Sequence, residues 1–321
     1  MSTKKRVLVC GASGFLGKNI FEHLSRRNDL EVRGTYLLNR YNRVDTNNPR
    51  FSKVNLTKEE EVYKAIQDID VVVQMAASSP GANDVKERPY IQVTPNAVAN
   101  SWIFQAAFDN NVPQVIFPSC TVMYDDSDMG QKETDLDLNK ITPEKVYYGA
   151  AKMKTYIESQ CQFFAGLGRT RFTAIRHSNI YGPHDRFDPE RSHVFGATIR
   201  KVLNSQDGKV VVWGQGKEVR DFLYVDDFVR FIEKVIDQQD YRFDVFNLGS
   251  DQPITIAELV ARVILVSDKD LEIVYDPQGP TLGTKTSINS TKAREKFGWQ
   301  PKVSLNDGIA KTIDWYRKNI I

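Results

Sequence analysis

Two residues suited to proton transfer, Tyr148 and Lys152, lie four positions apart in a segment with a strongly helical pattern. Side chains at this spacing are neighbours on one face of a helix. A lysine ammonium close to a phenol favours the phenolate and lowers the tyrosine pKa from about 10, so the hydroxyl can exchange a proton near neutral pH. A chain with 13 tyrosines is expected to contain about one such spacing by chance. The interpretation therefore depends on what surrounds the pair.

A short polar turn, Ser119-Cys120-Thr121, follows the apolar run 114–118, which predicts a strand. Ligands of open α/β sheets bind outside the carboxyl ends of the strands. The polar turn therefore lies where a ligand would bind, which makes the spacing of Tyr148 and Lys152 more specific.

Three glycines, Gly11, Gly14 and Gly17, follow a predicted first strand and open a predicted helix. Glycines in this position let backbone amides approach the pyrophosphate of a dinucleotide at the helix N-terminus. The alternative is that they serve the backbone turn alone. The surrounding alternation of strands and helices favours a cofactor site, to which we assign Gly11, Ser13, Gly14, Phe15, Leu16 and Gly17.

The end of the second predicted strand, Gly34-Thr35-Tyr36, carries no carboxylate. NAD-preferring sites place an acidic side chain there to bind the ribose hydroxyls. Nearby arginines at 33, 40 and 43 would attract the 2′-phosphate of NADP(H), although each could equally be a solvated surface residue. The sequence therefore predicts NADP(H) as the cofactor, with Arg40 among its binding residues.

The first half of the chain alternates short β-branched runs with amphipathic helical patterns, as in parallel sheets covered on both faces. Strands are predicted at 6–10, 30–36, 51–55, 70–75, 114–118 and 173–177, and helices at 15–27, 58–67, 96–109 and 147–165. We expect an α/β fold: a Rossmann doubly wound parallel sheet with a smaller C-terminal α/β substrate-binding lobe. The predicted boundaries are 1–178 for the NADP(H)-binding domain, to which 222–249 returns, and 179–221 with 250–321 for the lobe.

Charge and cysteine content argue against several classes of partner. The net charge is +2 and the basic residues are dispersed, so we expect no nucleic acid and no membrane partner. The cysteines Cys10, Cys120 and Cys161 are odd in number and lack metal-ligand spacing, so we expect neither a disulfide framework nor a metal site. The apolar run 7–10 is too short for an export signal or a membrane span, and the expected location is the cytoplasm.

Taken together, these motifs resemble extended short-chain dehydrogenase/reductases across nearly the whole chain. The resemblance is carried by the glycine loop, Ala76-Ala77, Asn96, Ser119-Cys120-Thr121, Tyr148 with Lys152, and Arg176-His-Ser-Asn179-Ile-Tyr181-Gly182-Pro183. It implies nicotinamide chemistry on nucleotide-linked sugars and adds Ala76, Ala77, Asn96, Tyr148 and Lys152 to the cofactor site. It also makes a homodimer the expected assembly.

Within that superfamily, the segments 182–194, 211–214 and 219–222 look most like those of GDP-L-fucose synthases. Those enzymes epimerise GDP-4-keto-6-deoxymannose at C3 and C5 and then reduce C4 with NADPH. The resemblance implies that Tyr148 donates the proton to the C4 oxygen, that Lys152 supports it, and that His193 matches the acid of the epimerisation. From the sequence alone His193 could also be an ordinary interface histidine.

Two positions depart from that pattern. The family's catalytic serine falls on Cys120 and its epimerisation cysteine on Val122, and a valine cannot abstract a proton. Because a thiol is a weak donor to the substrate oxygen, the resemblance makes Ser119 and Thr121 candidate catalytic residues beside Cys120. The glycine loop is also of the generic Gly-Ala-Ser type. The sequence therefore predicts NADPH-dependent C4 reduction of a GDP-linked 4-keto-deoxysugar, a 6-deoxyhexose or a heptose, without efficient epimerisation.

The nucleotide end of such a substrate needs groups that bind a diphosphate and a base. Arginine suits a diphosphate because its planar fork donates two hydrogen bonds, and a tryptophan can stack on guanine, although it could equally be a buried core residue. The candidate substrate-binding residues are Asn179, His193, Arg200, Trp213, Arg220 and Lys285.

Three other functions stay open at the level of sequence. One is a bifunctional C3/C5 epimerase and 4-reductase like the GDP-L-fucose synthases. Another is an NAD-dependent nucleotide-sugar epimerase or dehydratase, which the missing acidic residue after the second strand weakens. The third is a non-catalytic NADP(H)-sensing protein, against which the presence of Tyr148, Lys152 and His193 argues.

Overall fold

The computed structural model describes residues 4–79, 87–143, 147–189, 192–279, 281 and 283–321. Strands in this part of the chain are β1 (Lys5–Cys10), β2 (Leu30–Tyr36), β3 (Phe51–Lys53), β4 (Val71–Gln74), β5 (Gln114–Pro118), β6 (Arg171–His177), β7 (Asn179–Tyr181), β8 (Lys209–Trp213), β9 (Val219–Arg220), β10 (Phe222–Tyr224), β11 (Phe243–Leu248), β12 (Ile254–Thr255) and β13 (Glu272–Asp276).

Helices cover the strands and join them. The α-helices in the described residues are Phe15–Leu24, Glu59–Ile66, Val93–Asp109, Tyr148–Gly166, Val194–Asn204, Val225–Gln238, Ile256–Ser267, Thr291–Phe297 and Leu305–Asn319. Short 3₁₀ turns lie at Pro89–Gln92, Glu133–Asp135 and Leu138–Lys140. Among these helices, none is long and apolar enough to cross a membrane.

The central sheet has the strand order β11-β6-β5-β4-β1-β2-β3, and every pairing in it is parallel. The chain moves outward from β1 through β2 to β3 and then returns past β1 to β4, β5 and β6. The strand order therefore reverses between β1 and β4, and the carboxyl ends of these strands border the crevice where ligands of such sheets bind.

Two apolar layers cover the sheet. One packs the helices Phe15–Leu24 and Val225–Gln238 against one face, and the other packs Val93–Asp109 and Tyr148–Gly166 against the opposite face. The strands β1 and β4 alternate their side chains between the two layers, so both faces of each strand are buried. The prediction of a doubly wound α/β sheet is confirmed.

Smaller sheets lie beyond the central one. The strand β8 pairs with β13, β7 with β10, and β9 with β12. The helix Ile256–Ser267 begins with a capping box, in which Thr255 Oγ1 accepts a hydrogen bond from the Glu258 amide at 3.1 Å and Glu258 Oε2 accepts one from the Thr255 amide at 2.7 Å. These elements stand beside the carboxyl edge of the sheet, to which β11 returns as the outermost strand.

Several predicted boundaries were wrong at their ends. The first helix ends at Leu24 rather than at 27, because the next amides form turn bonds and Arg27 pairs with Asp29 and Asp237. The helix predicted from 96 begins at Val93, because a 3₁₀ turn runs directly into it. The strand β3 is two residues shorter than predicted.

Candidate active site

The glycine loop after β1 is compatible with glycine alone at two of its positions. Gly11 has φ of 74°, and a Cβ there would lie 2.7 Å from the Cα of Ala76. A Cβ at Gly17 would overlap the carbonyl oxygen of Gly11. The loop leads into the N-terminus of the helix Phe15–Leu24, where the first amides lack intrahelical partners. This cradle fits the pyrophosphate of a dinucleotide, with Phe15 and Leu16 half-buried in the first turn.

The segment after β2 closes the other side of the glycine loop. Ser13 Oγ donates a hydrogen bond to the carbonyl of Leu38 at 2.9 Å. The guanidinium of Arg33 pairs with Glu31 on the surface, and Arg43 Nη2 donates to the carbonyl of Asp185 at 3.0 Å. Arg40 is exposed in this loop. Arg33 and Arg43, two of the three arginines near the predicted 2′-phosphate site, therefore bind groups of the protein. The exposed side chain of Arg40 is the one best placed to reach a phosphate.

The loop after β4 is held by Asn96. Its buried side chain accepts a hydrogen bond from the Ser78 amide at 2.7 Å and donates one to the Ser78 carbonyl at 3.0 Å. Ala76 packs against Gly11, and Ala77 is exposed at the crevice. Asn96 thus shapes the wall of the crevice through Ser78.

The turn of residues 119–121, here called the Cys120 turn, leaves the end of β5 beside this crevice. The Ser119 amide donates to the Ile175 carbonyl at 2.7 Å, and the Ser119 hydroxyl is buried without a hydrogen-bond partner among the described residues. Cys120 and Thr121 are half-buried. Partial burial raises the pKa of the Cys120 thiol, so the thiol is protonated at neutral pH. The turn offers hydrogen-bond donors and no base.

Tyr148 and Lys152 lie on one face of the helix Tyr148–Gly166, called the Tyr148 helix below. The ammonium of Lys152 lies 6.0 Å from the centroid of the Tyr148 ring. Tyr148 and Val122 pack against a small cluster that includes Met123, directly after the Cys120 turn. Tyr148 is half-buried and Lys152 is exposed. The pair is therefore close together, at the rim of the turn.

Two residues that sequence reasoning missed lie on the inner face of the same helix and directly before its first residue. Lys154 Nζ donates to the carbonyl of Pro118 at 2.8 Å and lies 4.6 Å from the centroid of the Phe117 ring. Tyr147 precedes the helix, and burial raises its pKa while Arg220 opposes that rise. Cys120 is within electrostatic range of both residues. Only the packing of the helix on β5 distinguishes Lys154 from Lys152, so spacing carried no signal for it.

His193 stands at the N-terminus of the helix Val194–Asn204 on the other side of the crevice. Its ring is reached by solvent yet enclosed by many protein atoms; this desolvation, together with the charge of Arg186, lowers its pKa. A neutral imidazole can both donate and accept a hydrogen bond. His177, at the end of β6, is half-buried, and desolvation lowers its pKa to about 4, so it is neutral too.

Asp185 lies in the loop before that helix. Its carboxylate accepts a hydrogen bond from the Arg186 amide at 2.7 Å, and its other oxygen is buried without a partner in the described part of the chain. Burial raises its pKa to about 7. The Asp185 carbonyl accepts from Arg43, so this loop bridges the crevice to the segment after β2.

The residues predicted to bind the nucleotide are spread over the smaller sheets and the segments that follow them. Asn179 donates from its side chain to the Asp221 carbonyl at 3.1 Å, and the buried Arg220 binds Glu218 Oε2 at 3.0 Å and the Thr284 carbonyl at 2.6 Å. Lys285 pairs with Asp128 at 2.9 Å on the surface.

Trp213 and Arg200 are the remaining nucleotide candidates. Trp213 is 45% exposed, with the Lys201 ammonium 4.6 Å from its ring centroid. Arg200 is half-buried on the helix Val194–Asn204. The structure thus brings Tyr148, the Cys120 turn and the glycine loop to one sheet edge, and gives Arg220 and Lys285 partners within the protein.

Metal and disulfide chemistry find no support in the described residues. No group of three or more His, Cys, Asp or Glu side chains in them could hold a metal ion. Cys10, Cys120 and Cys161 are free thiols. The arrangement can bind a dinucleotide and donate a proton to a ligand oxygen near Tyr148.

Comparisons with known proteins agree with this geometry. A family model described as "NAD dependent epimerase/dehydratase family" matches residues 7–249. A GDP-L-fucose synthase of Sinorhizobium fredii is 29% identical over 327 residues, which cover 98% of this chain and 96% of that protein. GDP-mannose 3,5-epimerase 1 of Oryza sativa subsp. indica is 26% identical, covering 99% and 83%. The crystal structure of the Thermotoga maritima UDP-glucose 4-epimerase with UDP-glucose superposes with a TM-score of 0.85 at 26% identity, covering 98% and 100%.

Proposed function

The chain belongs to the NAD dependent epimerase/dehydratase family, and from this premise we propose that it reduces the C4 carbonyl of a GDP-linked 4-keto-deoxysugar with NADPH. The sugar is a 6-deoxyhexose or a heptose. Support for the class of substrate comes from the similarity to GDP-L-fucose synthases over almost the whole length of both chains.

One observation carries the choice of reduction over epimerisation. Epimerisation beside a carbonyl needs a base that removes a proton from carbon. The residue after the Cys120 turn, Val122, has no ionisable group. Burial raises the pKa of the Cys120 thiol, so the thiol is not a base near neutral pH. The Cys120 turn and Val122 therefore favour proton donation to a carbonyl oxygen over removal of a proton from carbon.

The proposed steps use the residues beside the turn. When bound, NADPH supplies a hydride to C4 of the sugar. The Tyr148 O–H bond breaks and its proton passes to the C4 oxygen, and the Lys152 ammonium stabilises the phenolate that remains. Ser119, Cys120 and Thr121 are the proposed donors that orient the C4 oxygen, and the neutral His193 hydrogen-bonds the sugar from the opposite wall.

A preference for NADP(H) is part of the proposal. The strand β2 ends in Tyr36 with no carboxylate, and Arg40 is exposed in the loop that Ser13 ties to the glycine loop. A guanidinium there favours the 2′-phosphate through charge-assisted hydrogen bonds. The proposed binding set is completed by Ala76, Ala77 and the loop that Asn96 holds.

The nucleotide and the assembly are proposed on separate grounds. Asn179, Arg200 and Trp213 border the side where a nucleotide would extend, with Arg220 and Lys285 able to join it after exchanging partners. The exposed Tyr156 and Phe163, on the outer face of the Tyr148 helix, support a homodimer packed through that helix. The three unpaired thiols support a reducing compartment such as the cytoplasm.

Isotope exchange tests reduction against epimerisation. The protein is incubated in heavy water with GDP-4-keto-6-deoxymannose, without NADPH, and the sugar is examined by mass spectrometry and NMR. We expect no deuterium at C3 or C5, and full reduction once NADPH is added. Deuterium at either carbon would instead support a bifunctional epimerase and reductase, the function that the similarity to GDP-mannose 3,5-epimerase favours.

Mass spectrometry of the purified protein tests the identity of the nucleotide. We expect any retained nucleotide sugar to carry guanosine. A retained uridine or thymidine sugar would contradict the GDP assignment while leaving the reductase chemistry open to test.

A further inference from the structure

We propose that Lys154 is a positioning residue of the site, which fixes the Cys120 turn and supplies the positive charge beneath it. This inference rests on the proposed function for its effect on turnover, and on the contacts and charges around Lys154 for its effect on the turn. Lys154 lies two residues after Lys152, about 200° further around the helix, so the two ammonium groups serve opposite faces.

The Lys154 side chain anchors the start of the Cys120 turn. The Lys154 ammonium donates to the carbonyl of Pro118, the last residue of β5, at 2.8 Å. The next amide, that of Ser119, donates to the Ile175 carbonyl of β6 at 2.7 Å. The chain therefore enters the Cys120 turn with its last carbonyl and its next amide both held, the carbonyl by a side chain from the Tyr148 helix.

The Lys154 side chain is half-buried beneath the turn. The Lys154 stem lies against the Phe117 ring, with the ammonium 4.6 Å from the ring centroid, a cation–π distance. Desolvation lowers its pKa, and nearby Cys120 opposes that effect. A half-buried charge is screened less by solvent than an exposed one, so it acts more strongly on neighbouring groups.

Several titratable groups lie near the Lys154 ammonium. Cys120 lies on the turn, Glu158 and Cys161 on the same helix, and His177 on β6. Glu158 is bound to Arg176 at 2.7 Å, so its charge is already paired. The Lys154 charge opposes the rise that burial causes in the pKa of the Cys120 thiol; the Arg176 charge also lowers that pKa, and the Glu158 charge raises it. The Lys154 charge would also stabilise negative charge that develops on a substrate oxygen at the turn.

The test uses the Cys120 thiol as a reporter that needs no substrate. Cys10 and Cys161 are fully buried, so iodoacetamide added to the native protein reports on Cys120, and Cys120→Ser gives the background. Lys154→Met keeps the length of the stem and removes the charge. We expect the pH midpoint of alkylation to rise by about one unit, a tenfold slower reaction below the midpoint. Lys154→Arg should restore most of the difference.

Lys152→Met is the matched control for the alkylation midpoint, since it removes an ammonium from the outer face of the same helix. We expect the alkylation rate below that midpoint to stay within about twofold of the wild-type rate. Should Lys154→Met not fold, Lys154→Gln provides the same measurement. An alkylation midpoint in either Lys154 variant that equals that of the wild type overturns the proposal.

Turnover separates this inference from the proposed function. With NADPH and GDP-4-keto-6-deoxymannose, Lys154→Met should lower kcat about tenfold at unchanged KM for NADPH, and Lys154→Arg should recover it. Absence of turnover in the wild type would refute the proposed substrate and leave the thiol result standing. An unchanged kcat in Lys154→Met together with a shifted thiol would overturn the effect on the reaction.

Discussion

The glycine loop and the Cys120 turn stand at the same edge of the sheet, yet the two regions are specified in different ways. At the glycine loop, the requirement is local: a Cβ at Gly17 would overlap the Gly11 carbonyl, whatever the rest of the chain does. At the Cys120 turn, the requirement is tertiary, since Lys154 reaches Pro118 from a helix 36 residues further along. Residues constrained by their own backbone can be identified from a motif, while residues selected by packing cannot.

A substitution in the glycine loop should have the largest effect. In Gly17→Ala the added methyl group forces the loop apart from the helix N-terminus, so NADPH binding should weaken at least about a hundredfold, with about 1–3 kcal/mol lost from the free energy of unfolding. Fluorescence titration of NADPH and thermal melting measure both. Gly166→Ala is the control, because a Cβ there meets nothing within 4 Å. Binding within threefold of wild type in Gly17→Ala would contradict the cradle.

Substitutions beside the Cys120 turn should affect the chemical step more than the binding of NADPH. Tyr148→Phe removes the proposed proton donor, so kcat should fall by about 10²–10⁴ while the Kd of NADPH stays unchanged. Steady-state kinetics and NADPH titration test this. Tyr147→Phe removes the neighbouring phenol and should cost less than about tenfold. A larger loss in Tyr147→Phe would assign proton donation to Tyr147, directly before the helix.

A smaller effect is expected at the adenosine end of the cofactor site. Arg40→Gln should raise the KM for NADPH about tenfold, because a charge-assisted hydrogen bond to the 2′-phosphate is lost, and should leave the KM for NADH unchanged. Arg33→Gln is the matched control, since Arg33 pairs with Glu31 on the surface. Equal losses with both cofactors in Arg40→Gln would show that this residue has a general role in the loop.

The smallest effect concerns the Asp185 loop, which bridges the crevice to the segment after β2. The pKa of Asp185 is raised by burial to about 7, above its unfolded value of 3.8, so the folded protein holds more protons between these values. Its contribution to stability is therefore present below pH 4 and is lost as the pH rises towards 7. Asp185→Asn should melt about 2–4 °C above wild type at pH 8, with the difference vanishing near pH 4. A difference independent of pH would contradict this account.

Much of the fold could be predicted because its signals are local. Apolar runs such as Val71–Gln74 and the helix start at Phe15 follow from residue types and spacing, and the positions of the first six strands along the chain needed only the alternation of strand and helix. Errors were confined to ends, where turn bonds and the pairs of Arg27 decide the last residue of a helix.

The site was harder to predict because its contacts join distant segments. The Arg220 guanidinium binds the Thr284 carbonyl, 64 residues away, and Lys201 covers the ring of Trp213. No pattern in the sequence shows either contact. The spacing of Tyr148 and Lys152 identified a shared helix face. The face that packs on the sheet was fixed instead by the buried pair of Glu158 with Arg176 of β6 and by the contact of Lys154 with β5.

The most direct test of the proposed reaction follows the hydride itself. The protein is mixed with NADPH carrying deuterium at C4 of the nicotinamide, in each stereochemical form, together with GDP-4-keto-6-deoxymannose. The account predicts that one equivalent of NADPH is oxidised per sugar and that, with one of the two forms, deuterium is found only at C4 of the sugar. Unoxidised NADPH, or a changed sugar without deuterium from either form, would contradict it.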